Sequence, residues 1–305
     1  MPADPRAGAM DNPYTAWSPL RDRRPVRWPG GARVAVCVLL NVEHVEWLPP
    51  DGVFVPPSAV RRPPYPRLPD PHEVSPHEYG NRVGIFRLIE ALDARSIPAS
   101  VPIDAASAER YPGIVRRCVD RGWELLGHGL SASRMISGAM SEPEERAYIA
   151  RSLDAVQRAT GQRPVGWSSI EYAQSARTIR LLAEAGVRYM CDWPNDEQPY
   201  ELVGDGAGVV ALPTAIELDD VYTIHMRRVP PARWSQMIVD AYDRLERDGA
   251  ESGRVLVISL HPWLTGQPFR MRHVEAALDH VAGRPRAWCA TAGEIVDRYR
   301  EQASA

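Results

Sequence analysis

The sequence predicts an α/β fold, a distorted (β/α) barrel of about seven to eight parallel strands. Three observations lead there. Short apolar, β-branched runs alternate with helix-period segments from residue 82 to the end of the chain. The chain has 305 residues, a length at which such an alternation closes into one barrel. No GxGxxG or GxxxxGK[ST] stands at the first strand–helix turn, so the open-sheet nucleotide binder lacks its signature.

The first 32 residues carry several prolines and little apolar periodicity, and read as an N-terminal arm on the surface or on a neighbouring subunit. Residues 33–305 read as a single barrel domain. Its first strand is 33–41, RVAVCVLLN, continuously apolar as a strand covered on both faces should be. Residues 48–78 are proline-rich and aperiodic, and read as an active-site loop because they leave the first strand directly. Helix 82–95 then leads to strand 97–103, and helix 107–121 to strand 123–127. Ser141-Glu142-Pro143-Glu144 has the spacing of a capping box with proline in the first turn, and starts a helix running to about Ala159. Strand 164–169, helix 175–186, strand 187–193, strand 208–213, helix 231–248, strand 254–261, helix 271–283, strand 286–290 and a last helix from Ala292 complete the order.

Composition bounds the function. Apolar residues make up 44%, charged residues 25%, and the net charge is −3, without the basic run that nucleic acid or an anionic membrane requires. No stretch of about 18 apolar residues exists, so no membrane span is expected. The polar N-terminus lacks an apolar signal core, giving the expectation of a cytoplasmic protein. Cys37, Cys118, Cys191 and Cys289 form no CxxC pair and read as buried thiols.

In a parallel barrel the carboxyl ends of the strands hold the reactive groups. Those ends carry Glu43 and His44, His128 between two glycines, Trp167 and Glu171, Asp192 and Trp193, and His261 with Trp263. Each has a plainer reading. His128 can cap a turn, His261 can be a satisfied core histidine, Asp192 can cap a loop, and the tryptophans can be packing. Adjacent Glu43 and His44 point to opposite faces while the chain remains a strand. The recurrence at one end of nearly every strand favours a site, with the tryptophans as its floor. His72, His77, His225, His273 and His280 lack such context and read as surface or helix residues.

These residues resemble a known family. E-Y-G-N-R-V-G-I-F-R-L (78–88), G-W-E-L-L-G-H-G (122–129), A-T-G-Q-R-P-V-G-W (159–167), C-D-W-P-N-D-E-Q-P-Y (191–200) and L-H-P around His261 are similar to the polysaccharide deacetylase (NodB-homology) superfamily, in its branch of PuuE-type allantoinases. The likeness spans roughly residues 33–300. It implies a hydrolase of a non-peptide C–N bond in a small amide, cyclic amide or ureide. Glu43 would be the general base and His261 the general acid, with His44 and His128 as metal ligands. One divalent metal, zinc by preference, is the implied cofactor; the alternative, implied by the allantoinase branch, is a site that works without a metal, in which His44 and His128 hold the developing oxyanion. The family pattern places a second histidine ligand at position 132, where this chain has Ala132, and an arginine in the region 167–171, which has none. Glu171, Trp167, Asp192, Trp193 and Trp263 would contact substrate. The alternatives are a metal-dependent N-acetyl-sugar deacetylase and a degenerate barrel that only binds. The expected partners are a small-molecule substrate and further copies of the chain, as a dimer or tetramer.

Overall fold

The computed structural model describes residues 12–51, 53, 69 and 71–303. The first strand, β1 (Val34–Leu40), is buried at all seven positions. The segment Pro71–Tyr79 is a helix, α1, and a π-helical turn at Gly80–Gly84 carries it into α2 (Ile85–Asp93). Then follow β2 (Ala99–Ile103), α3 (Ala105–Arg110), α4 (Pro112–Asp120), β3 (Glu124–Gly127), α5 (Glu142–Thr160) and β4 (Gly166–Trp167). The second half holds α6 (Thr178–Glu184), β5 (Tyr189–Met190), β6 (Tyr200–Glu201), β7 (Val210–Ala211), α7 (Pro231–Asp248), β8 (Arg254–Leu260), α8 (Pro268–Ala282), β9 (Ala287–Cys289) and α9 (Ala292–Ala303).

The sheet order is β6-β7-β5-β4-β3-β2-β1-β8, with β9 paired to the start of β1. All described pairings are parallel except β6 with β7. Among the described residues no ladder joins β8 back to β6. The sheet is therefore a curled, incompletely closed barrel, as the sequence led one to expect. β1 and β8 run in register over all seven residues from Val34↔Arg254 to Leu40↔Leu260. That register brings the ends of the first and the late strand, and so Glu43 and His261, to one rim.

Three elements differ from the sequence reading. The last eight residues of the proline-rich stretch are helical, as part of α1; Pro71 stands in the first turn, where its missing N–H costs nothing. The rest of 48–78, apart from 48–51, 53, 69 and 71–78, lies outside the described residues. The helix expected over 107–121 is two, because Tyr111 before Pro112 leaves the helical region (φ −119, ψ 57). The short β6 was not expected; two residues give no periodicity to read. The capping box at Ser141 is present, with Ser141 N–H donating to Glu144 Oε2 at 2.8 Å.

From Asn12 to Ala32 the described part of the arm lies on this chain's own barrel. Val26 and Trp28 are buried in the cluster with Val255, Val257 and Ala290, and Trp28 Nε1 donates to Arg254 O at 2.8 Å. Trp28→Ala is expected to destabilise the fold by about 3–5 kcal/mol, the usual cost of emptying a buried tryptophan site. Chemical denaturation measures this; a loss within the surface-substitution range would mean the arm is not part of the core.

Candidate active site

The site is assembled by the loops that leave β1, β3 and β8. After β1, Val42 still bridges Ile103, and Glu43 is the first residue clear of the sheet. Its carbonyl accepts from Asn81 Nδ2 at 2.7 Å, so the π-helical turn between α1 and α2 fixes its backbone. After β3 comes His128, followed by Gly129 at φ +84. A Cβ at Gly129 would overlap the Tyr148 hydroxyl, so this turn needs glycine on both counts. After β8, His261 begins the turn that carries Trp263.

Three of the expected residues meet. Glu43 Oε1 lies 3.2 Å from His128 Nε2 and 3.9 Å from His261 Nε2. His128 Nδ1 lies 2.6 Å from the Ser168 carbonyl. A carbonyl only accepts, so Nδ1 is the protonated nitrogen there, and the contact between Nε2 and a carboxylate oxygen then has to hold a further proton. On the other side, Asp220 receives His261 Nδ1 at 2.6 Å and His261 N–H at 2.8 Å, and Thr265 Oγ1 at 2.6 Å. This orients His261 Nε2 toward Glu43.

Electrostatics follow from that geometry. Burial works against the Glu43 carboxylate, but the charge on His261 and the hydrogen bond and charge of His128 outweigh it, lowering the carboxyl to about 2. Burial likewise opposes the His261 imidazolium, but Asp220 and Glu43 outweigh it and raise it to about 10. Glu43 and His261 therefore stand as an ion pair over a wide pH range.

Other expected residues lie elsewhere. The His44 side chain turns to Tyr111, with Nδ1 at 2.8 Å from the hydroxyl, while Asp104 holds its backbone N–H at 2.7 Å. Burial and the charge of Arg110 lower the His44 imidazole below its ordinary range. Burial raises Asp104 to about 7, against the hydrogen bonds from His44 and Ser107. Trp167 is fully buried among Leu153, Leu181 and Leu182, so it is core and not a pocket floor. Its indole N–H donates to Ser169 Oγ, which donates to Asp192. Asp192 is buried and also accepts from Ser169 N–H and Gln174 Nε2, so its oxygens are used inside the scaffold. Trp193 donates to Gln174 Oε1 and faces Tyr14 of the arm. Glu171 is half-buried in a left-handed conformation, φ 48 and ψ 33.

Trp263 stays beside the site, with His77 of α1 stacked at 4.6 Å and His225 edge-on at 5.2 Å. Those two histidines, read from the sequence as surface or helix residues, thus line the same wall, and His77 lies near enough to act on Glu43. Asp219, Asp220 and Tyr172 were missed as well. The acidic pair follows strand 208–213 by six residues and was the one available signal.

The ligand set expected for zinc does not form. Among the described residues, the one group of three potential ligands within 4.8 Å is Asp219, Asp220 and His261. Glu43, His44 and His128 are not such a group, because His44 is held by Tyr111. In the group that does exist, Asp220 is filled by His261 and Thr265, and Asp219 by Tyr172 and the Tyr222 N–H. In this arrangement the ligand atoms of the group are engaged in hydrogen bonds with one another and with Thr265, Tyr172 and Tyr222.

The family model for polysaccharide deacetylases matches residues 78–190. The solved structure of PuuE allantoinase is similar to this chain with a TM-score of 0.82 and 24% identity, covering 94% of this chain and 97% of that one. A probable polysaccharide deacetylase from Pseudomonas aeruginosa PAO1 gives a TM-score of 0.80 and 26% identity, covering 93% and 97%. Over residues 78–190 the chain is similar to polysaccharide deacetylases, and it shares their curled-barrel fold. A peptidoglycan deacetylase of Helicobacter pylori is 24% identical over 261 residues, 75% of this chain and 88% of that protein. No helix of the described residues is long and apolar enough to cross a membrane.

Proposed function

We propose that the enzyme hydrolyses a C–N bond in a small cyclic amide or ureide, with Glu43 as general base and His261 as general acid. The observation that carries this reading is the placement of Glu43 between two imidazoles, one of them fixed by Asp220.

Water attacks the carbonyl carbon and gives a proton to Glu43. The C–N bond breaks as the leaving nitrogen takes the proton from His261 Nε2, and Asp220 stabilises the imidazolium that supplies it. As Glu43 becomes neutral, the Nε2–H of His128 is released from it and can turn to the developing oxyanion. The resting pKa values of about 2 and about 10 put both groups in the right form but far from the near-neutral optimum. Their own pairing is a main cause. A substrate seated between Glu43 and His261 weakens that pairing, which raises the one and lowers the other toward working values. The coupled acid–base action is worth about 10²–10⁴-fold.

A panel of cyclic amides, ureides and N-acetyl sugars tests the reading. Turnover of an amide or ureide is expected, abolished in Glu43→Gln and unchanged by chelator. Sugar deacetylation lost to chelator and restored by zinc would instead establish the metal-dependent deacetylase.

A further inference from the structure

Between β4 and α6 the backbone takes a costly path. Glu171 and Tyr172 are consecutive non-glycine residues with positive φ, 48° and 60°. Side chains other than glycine rarely adopt that region, and where they do the surrounding structure must hold them there. The path brings the Tyr172 side chain to the site: its hydroxyl donates to Asp219 Oδ2 at 2.9 Å. Asp219 Oδ1 accepts from the Tyr222 N–H at 2.9 Å, and its carboxylate lies within 4.8 Å of both Asp220 and His261. Asp219 is 4% exposed and Asp220 is fully buried. Two buried carboxylates thus back one imidazole, and only Asp220 bonds to it directly.

We infer that Tyr172 and Asp219 are positioning residues for His261, a second arm of support in which the tyrosine hydroxyl keeps Asp219 ionised beside the imidazolium. Burial beside a second carboxylate favours the neutral form of Asp219, and a hydroxyl donor opposes it. Burial and the charge of Asp220 raise Asp219, while His261, the Tyr222 N–H and the Tyr172 hydroxyl oppose them. The groups facing His261 are Asp220, Asp219 and Glu43. Those facing Tyr172 are Asp219 and Asp192, with Ser259 as a hydroxyl partner. Arg270 lies within the field of Asp220, and His128 and His77 act on Glu43.

The inference uses the proposed acid role of His261 only for its rate readout, so the decisive measurements need no substrate. In the full chain, NMR of labelled histidine and aspartate follows the His261 imidazole and the Asp219 carboxyl. Asp219→Asn removes a negative charge at every pH, so the His261 midpoint is expected to fall by about one pH unit. Tyr172→Phe removes the donor to the ionised carboxyl, so Asp219 is expected to protonate at higher pH, and the first acid-side fall in kcat/KM moves up with it. In the double variant the tyrosine substitution adds nothing to the His261 midpoint. A His261 midpoint unmoved in a folded Asp219→Asn protein overturns the inference, as does an unmoved Asp219 midpoint in Tyr172→Phe. Midpoints that move as stated in a protein that turns over no amide or ureide would uphold the support and overturn the proposed reaction.

Discussion

His261→Asn is expected to lower kcat/KM on the best amide or ureide by about 10²–10⁴-fold, the usual worth of a positioned general acid. Asparagine keeps a polar group of similar size, so the loss reads chemistry rather than packing. Asp220→Asn should produce a large loss too, because it replaces an acceptor of His261 Nδ1–H and of the His261 N–H with an amide that cannot serve both Nδ1 and Thr265. If both variants keep near-wild-type rates in a folded protein, the acid role of His261 is wrong.

The pH profile should report the same pair. A basic limb is expected near 10, where His261 loses its proton. On the acid side activity should fall first as Asp219 protonates above the ordinary carboxylate range, and finally near 2 with Glu43. Asp104, at about 7, adds a weak inflection within the plateau by altering the hydrogen bond to the His44 backbone. Stability follows with opposite signs for the two partners. Glu43 is lowered on folding, so its contribution is present above its unfolded value, about 4.3, and is lost as pH falls toward 2. His261 is raised, so its contribution is complete below about 6.5 and is lost as pH rises through 10. Both contributions are full together between roughly 4.3 and 6.5, a window that Glu43→Gln should flatten in denaturation measured against pH.

The fold was legible because its signals are local. The runs at 33–41 and 254–261 are largely apolar and β-branched, as a strand covered on both faces is. Glu43, His128 and His261 were legible by position, since His128 and His261 directly follow their strands and Glu43 follows β1 by three residues. What was not legible depends on direction and on partners far along the chain. Whether His44 or Glu43 turns inward is decided by Tyr111, 67 residues later. Trp167 stands at a strand end like Trp263, but α5 and α6 cover it, and no strand-end rule shows which side a helix will take. Asp220 serves His261 from 41 residues upstream, inside a π-helical turn that has no periodicity of its own. Helix α1 lacks an apolar stripe and contains Pro76, so nothing in its sequence announced it.

Gly84→Ala is expected to damage activity more than stability. Gly80 and Gly84 are four residues apart, on one face of the π-helical turn and its neighbour helix. That face lies directly on the backbone that follows His261. A Cβ at Gly80 would stand 2.6 Å from Trp263 N, and one at Gly84 would overlap the Pro262 carbonyl oxygen, with Gly266 Cα 3.3 Å away. Each of these neighbours is backbone, so no side-chain rotation relieves the overlap and the turn itself must move. Overpacking of this kind costs about 1–3 kcal/mol. Here the displaced turn bears His261 and Trp263, and the displaced helix holds the Glu43 carbonyl through Asn81. Activity should therefore fall further than stability: kcat/KM is expected to drop by about 10²-fold, the scale set by a misplacement of about 1 Å, in a protein that still unfolds cooperatively. Gly138→Ala is the matched control, because a Cβ there meets nothing within 4 Å and its φ is not positive. Equal activity in the two variants would show that the contact of this helix with the Pro262–Trp263 turn does not set the distance between base and acid.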